Sequence, residues 1–378
     1  MLTLNICHSL ASVLRTEWDA LVDPDFPFAD YDHLFALEST GCAGPEMGWL
    51  PIYLLLRDES DCLVAASYGY LKSHGYGEFI FDNVLHQAYS RAGKDYYPKL
   101  VMAVPYTPAT GPKVLVRSEE QRAVLESTLA EEWKKIAVKS GCSSVHALFI
   151  PLRDVPHYSN QDYLLRHSYQ YHWFNRGYHD FEQFLSVLKT KRRRQIQMER
   201  RSLHSTEGLQ IVTKTGQDLT EADADLIANL YLDTNEKWGS IPCLSRDFFR
   251  AIFSSMSDRI VLFVALVEGK AVAAAINFVK GRKMFGRYWG TTREIKFLHF
   301  ELCYYQAIDY CIQSGLEIYE AGAQGEHKIP RGFIPQLTYS CHCIMDPMFQ
   351  RQFERFLEQE KKLIDDQFKE WAPHLPYA

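Results

Sequence analysis

Short apolar, β-rich runs bounded by polar turns mark the strands along much of this chain, and several longer stretches carry the period of amphipathic helices. In the first half, Thr3–Cys7 reads as a short strand and Ser12–Leu21 as a helix, and Tyr31–Ser39 reads as a second helix closed by Gly41. Trp49–Leu56 and Cys62–Leu71 are apolar, β-rich runs separated by the polar turn Arg57–Asp61, the signature of a hairpin. Gly77–Asp82 reads as a further short strand. Lys99–Val104 reads as a strand that enters the turn-dense loop Pro105–Pro112, which leads to Val114–Val116. A helix over Glu119–Val138 and a strand over Ser144–Ile150 follow.

From Asp154 to His172 the chain is polar and loop-like, a candidate boundary between domains. Beyond it, Phe181, Phe184, Leu185 and Leu188 recur at helical spacing, and the same helix is expected to continue through the basic run from Lys189 to Arg201. Glu221–Glu236 reads as a helix with Thr220 as N-cap. Ile260–Val267, Ala271–Val279 and Lys283–Trp289 read as three strands joined by tight turns at Gly269 and Gly281. A helix from His299 to Ile312, ended by Gly315, precedes the strand Leu316–Tyr319, and a last helix starts at Asp346 and Pro347. Each half thus runs helices, three strands, helix, strand. The expected fold is α+β with mixed, mostly antiparallel sheets, divided into domains 1–165 and 166–378, and the repeated order points to an internal duplication.

Composition narrows the classes. A chain of 378 residues exceeds what one core usually organises, and 47% apolar residues suffice for two cores. A net charge of −6 gives no overall attraction to DNA or an anionic membrane, so any polyanion must meet a local patch. The nine cysteines are scattered without a CxxC pair, which points to reduced thiols and a cytoplasmic protein, with neither a disulfide framework nor a zinc knuckle. No run approaches the ~18–20 apolar residues of a membrane span, and no metal motif of the HExxH kind is present.

The densest chemistry lies at Tyr319–Lys328, continued by Arg331, Gly332 and Phe333, where a buried strand delivers glycines, an acid, a base and cations within a few residues. Acylation of an amine needs a base for the attacking ammonium, donors for the developing oxyanion and cations for an anionic donor. Glu326 or His327 is the candidate base, Gly322 and Gly325 let main chain approach a substrate, and Gln324, Lys328 and Arg331 are candidate substrate contacts. The same residues would also form a glycine-rich turn with surface charges. Tyr288 and Trp289 end a strand and His299 starts the next helix, which makes them further contact candidates beside their ordinary role in a core. Arg192, Arg193 and Arg194 are candidate phosphate ligands within the basic run, set against a merely solvated helix face. Lys99, Tyr106 and Thr107, at a strand-to-loop exit in the first half, are candidate substrate contacts, and His342 between two cysteines reads as packing.

A resemblance joins these pieces. Glu38-Ser39, Gly48-Trp49, Gly77–Asp82, Tyr96–Leu100, Ala103–Pro108, Gly111-Pro112, Tyr288–Gly290, Leu298–Phe300, Ala323–Lys328 and Arg331–Phe333 resemble the FemAB-like group of the GNAT (acyl-CoA N-acyltransferase) superfamily, labelled peptidoglycan biosynthesis/recognition. The resemblance implies two tandem GNAT-like domains and transfer of an acyl or aminoacyl group onto the amine of a small-molecule, peptide or cell-wall-precursor acceptor. The donor would be an acyl-CoA or an aminoacyl-tRNA, since Fem-type transferases use charged tRNA, and tRNA would then be a partner. A non-catalytic precursor-recognition protein with a degenerate cleft is the alternative. The glycine-bearing pyrophosphate loop of GNAT enzymes is absent between Thr291 and His299, which counts against acetyl-CoA.

Overall fold

The computed structural model describes residues 2–323 and 325–377 and divides them into two units. Unit 1 comprises residues up to 23, 28–169 and 337–369; unit 2 comprises 24–27, 170–336 and 370 onward. The strands are β1 Thr3–Cys7, β2 Trp49–Arg57, β3 Leu63–Lys72, β4 Lys99–Met102, β5 Val114–Val116, β6 Ser144–Ile150, β7 Leu164–Phe174, β8 Leu209–Thr215, β9 Ile260–Val267, β10 Lys270–Lys280, β11 Lys283–Thr291, β12 Ile318–Glu320 and β13 Ile334–Ile344.

Within unit 1 the order is β1-β2-β3-β4-β6-β13, with β5 also on β3. The first four strands pair antiparallel, β4 and β6 pair in parallel across a helical crossover, and β13 closes antiparallel on β6. Unit 2 repeats this plan as β8-β9-β10-β11-β12-β7, with β11 and β12 parallel and β7 antiparallel on β12. The sixth strand of each unit is therefore supplied by the other half of the sequence. This corrects the expectation of a second domain running unbroken over 166–378: residues 337–369 belong to unit 1 because β13 finds its ladder on β6.

The crossover helix of unit 1, Arg122–Lys139, buries Leu125, Leu129, Trp133 and Ala137 at four-residue spacing while Val124 and Val138 face solvent. Trp133 packs so closely on β3 that a Cβ at Gly69 would lie 2.7 Å from its ring, and its Nε1 donates to Ser67 Oγ at 2.8 Å. The helix Glu221–Lys237 of unit 2 opens with a capping box in which Thr220 and Asp223 satisfy each other's main-chain donors.

Three local expectations are also corrected. The segment Gly77–Asp82 is not a strand, because Glu78 and Asp82 turn inward to meet Lys99. The polar stretch between 154 and 172 holds the helix Val155–Ser159 and most of β7, whose partly exposed first half disguises it. The single long basic helix is two, Phe181–Ser186 and Thr190–His204, each with its own buried face.

Candidate functional site

Strands β11 and β12 of unit 2 pair in parallel over only three residues, Lys283–Phe285 against Ile318–Glu320. Past that point β11 continues to Thr291 on β10 while the chain leaves β12 at Ala321, and the two diverge around a cleft of about 100 Å³. A register shift between Ile276 and Asn277 bends the neighbouring β10 at the same level. Gly286 keeps the gap open at its root, since a Cβ there would stand 2.6 Å from the Tyr319 hydroxyl.

The opposite wall comes from the helix that starts at Leu298. Residues Glu301–Tyr305 form a π-turn before regular α-helix resumes at Gln306. Such turns are frequent at functional sites because their i to i+5 bonding displaces side chains and carbonyls from the α-helical rows. The Cys303 carbonyl accepts the Tyr319 hydroxyl at 2.6 Å, and Tyr304 is presented to the cleft within 5.4 Å, ring to ring, of His299.

Tyr304 Oη lies 2.8 Å from His327 Nε2. His327 stands in the 3₁₀ turn Glu326–Arg331 that follows β12, and burial beside Lys328 and Arg331 lowers its pKa. His299, its ring 4.8 Å from that of Trp289 and tilted at 53° to it, is pushed down to about 4 by burial and by the nearby His327, Lys328 and Arg331, so its imidazole is neutral. With His327 also neutral at pH 7, Nε2 is able to accept the Tyr304 proton-bearing hydroxyl, whose own ionisation burial pushes up. Lys328, 3% exposed, donates from Nζ to the Gly322 carbonyl at 2.9 Å. Burial brings its pKa down to about 7, and the Arg287 charge adds to the shift.

Tyr288, Trp289 and His299 line the cleft, and Glu326 sits exposed beside His327, whereas Gln324 lies outside the described residues. Arg331 is held inside: its guanidinium grips Glu199 through Nε and a terminal nitrogen at 3.2 and 2.7 Å, donates to the His327 carbonyl at 2.6 Å and lies over the Phe300 ring. It fixes the turn rather than offering charge to a ligand. Arg192, Arg193 and Arg194 stand on the first turns of the helix Thr190–His204, and among the described residues none of the three forms an ion pair. Arg200 of the same helix is committed to Glu301, at 2.9 Å.

In unit 1, Lys99 is 0% exposed and donates to Glu78 at 2.8 Å and to Asp82. Tyr106 donates to the Cys42 carbonyl at 2.9 Å and Thr107 to the Pro105 carbonyl at 3.0 Å, and both are buried. These three serve the interior of the unit. His342 is buried on β13 with its Nδ1 2.6 Å from His146 Nδ1, so one of the two rings donates to the other. Tyr304, Cys303 and Arg287 line the cleft, and Glu199 anchors the turn through Arg331, without being singled out by the sequence alone.

The architecture recurs among solved structures. One titled as FemX shares 10% identity over 93% of this chain and 100% of its own, with a TM-score of 0.55. A conserved protein of unknown function from Bacteroides thetaiotaomicron shares 11% identity over 90% and 100% of the two chains, with a TM-score of 0.56. A tandem GNAT protein of the clavulanic acid pathway shares 11% over 92% and 99%, with a TM-score of 0.45. No functionally curated protein matches the chain in sequence. Among the described residues no helix is long and apolar enough to cross a membrane. The family model described as peptidoglycan biosynthesis/recognition spans residues 9–378: the chain belongs to the FemAB-like family.

Proposed function

We propose that the protein transfers an aminoacyl group from an ester donor to an amine of a peptidoglycan precursor, with the cleft between β11 and β12 as the site of transfer. The observation that carries this reading is the Tyr304–His327 pair, a neutral acceptor hydrogen-bonded at 2.8 Å to a hydroxyl that lines the cleft. The amine nitrogen attacks the ester carbonyl and its proton passes by way of Tyr304 to His327; as the intermediate collapses to the amide the ester C–O bond breaks, and that proton is returned to the departing oxygen so that the donor leaves with a free hydroxyl. A base so placed is worth on the order of 10²–10⁴-fold in rate. Lys328, when protonated, is suited to meeting the oxyanion, and the exposed Glu326 beside His327 is the second candidate proton acceptor.

A volume near 100 Å³ suits a small aminoacyl or amine head rather than a long acyl chain. The segment from Thr292 to Phe297 has no glycine, which favours an aminoacyl-tRNA over an acyl-CoA. The cations Arg192, Arg193 and Arg194 are the phosphate contacts of this reading, for the donor or for a nucleotide-linked acceptor.

The decisive experiment incubates the protein with charged tRNA or acyl-CoA and an amine-bearing, nucleotide-linked peptide precursor and follows donor consumption. Turnover with charged tRNA that falls at least about 100-fold in His327→Ala supports the reading. Full turnover in both His327→Ala and Tyr304→Phe refutes the assignment of the base. Binding of the precursor without consumption of either donor would make the protein a recognition module instead.

A further inference from the structure

Unit 1 holds a cluster that the transfer site does not use. Glu126 on the helix Arg122–Lys139 faces Asp154 and His157, which stand three residues apart at the helix Val155–Ser159. One donor atom from each, two carboxylate oxygens and a ring nitrogen, lies within 4.8 Å of the other two. We infer that Glu126, Asp154 and His157 bind a divalent transition-metal ion.

Asp154 is the residue that points to a ligand. It is 1% exposed, yet neither of its carboxylate oxygens accepts a hydrogen bond among the described residues. Its nearest cation is Arg153 Nε, 3.4 Å from Oδ1, and that guanidinium is engaged by Asp23 at 2.9 Å. A buried carboxylate in this situation takes up a proton or finds a positive partner, and burial beside Glu126 pushes the Asp154 pKa up to about 7.

The sharing of the nearby guanidiniums is the second argument. Arg122 donates to Glu126 Oε1 at 2.6 Å and also grips Glu119, at 2.5 Å. Arg153, beside Asp154, is likewise shared with Asp23.

The donors define its class. Two carboxylates and an imidazole suit the series from manganese to zinc better than magnesium or calcium, which prefer all-oxygen shells. An ion bound at about 2.0–2.2 Å lies within reach of all three after small side-chain rotations. It would replace the present Glu126 to His157 Nδ1 contact as the link between the two helices. Arg122 then plays the outer part usual for such sites, holding a ligating carboxylate in place. All the residues belong to unit 1, and none lines the cleft of unit 2.

The test is calorimetric titration of the EDTA-dialysed full-length protein with zinc chloride and cobalt chloride, with the visible spectrum of the cobalt form. One equivalent bound, with a spectrum of oxygen and nitrogen donors rather than thiolates, is expected. Asp154→Asn and His157→Ala should each weaken binding by at least about 100-fold, beyond the 10–100-fold typical of losing an outer partner. Zinc should also raise the melting temperature of the wild type and of neither variant. If Asp154→Asn fails to fold, the partly exposed His157→Ala decides. No uptake by the folded wild type, a thiolate spectrum, or uptake that the variants leave unchanged overturns the inference.

Discussion

Replacing Lys328 by methionine should make the protein more stable at acid and neutral pH while removing the function of the site. The side chain is 3% exposed, and its pKa falls from 10.5 to about 7 chiefly through burial. Because the folded value lies below the unfolded one, the unfolded chain holds more protons between pH 7 and 10.5, and stability rises with pH across that window. At about 1.36 kcal/mol per pH unit, the wild type carries a burden near ~5 kcal/mol at pH 6 that shrinks to roughly 2 kcal/mol at pH 9. Methionine fills similar space without the charge. It forgoes the bond to the Gly322 carbonyl, a loss of about 1 kcal/mol at every pH. Urea denaturation of both proteins at pH 6, 7.5 and 9 isolates the effect, since all other titrating groups are shared. The variant should lead by about 3–4 kcal/mol at pH 6, and the lead should fall by roughly 2–3 kcal/mol by pH 9. A difference that stays constant with pH would show that Lys328 titrates as an ordinary lysine.

Further expectations concern both units. Lys99→Met strands Glu78 and Asp82 in the interior of unit 1 and should lower stability by about 3–5 kcal/mol; a loss below about 1 kcal/mol in chemical denaturation would contradict the buried triad. Gly69→Ala drives a methyl into the Trp133 ring, at 2.7 Å, and should cost about 1–3 kcal/mol, read as a lower denaturation midpoint at unchanged slope. Burial holds His146 and His342 well below 6.5, so the unfolded chain takes up protons first and stability falls as pH drops below that value. His342→Gln should flatten this acid slope, and an unchanged slope between pH 6.5 and 5 would exclude the histidine pair as its source. Tyr304→Phe should lower kcat of the proposed transfer with little change in KM, whereas an equal loss in binding would mark Tyr304 as a substrate contact only.

The parts of the fold that obey a single local period are plain in the sequence. The three strands from Ile260 to Thr291 and the helix after Thr220 are read from apolar runs, turn glycines and one capping residue. β7 is not, because a strand whose faces are partly exposed over Leu164–Tyr169 shows no clean alternation. The site divides the same way. Tyr319–Lys328 announces itself by composition; His327 meets the cleft-lining Tyr304, whereas Lys328 turns inward to the Gly322 carbonyl. Tyr304 is hidden by its helix: residues five apart face different ways in an α-helix, and only the π-turn brings Tyr304 beside His299. Lys99 misleads for a related reason. Its two partners lie 21 and 17 residues earlier in what reads as a strand, so the neutralisation that buries it has no local signature.

The exchange of sixth strands bears on how the chain can be made and cut. Until β13 emerges, the outer edge of β6 presents unpaired main-chain groups, and the pairing that satisfies them joins Ile150 to Tyr339. During synthesis the first unit must therefore wait, with a sticky edge, for nearly the whole polypeptide to leave the ribosome. A fragment ending near residue 165 would carry that edge permanently and is expected to aggregate. The natural severable piece is not a half of the sequence but an internal deletion in which residues 337–369 are joined directly to residue 169, where the first part of unit 1 ends.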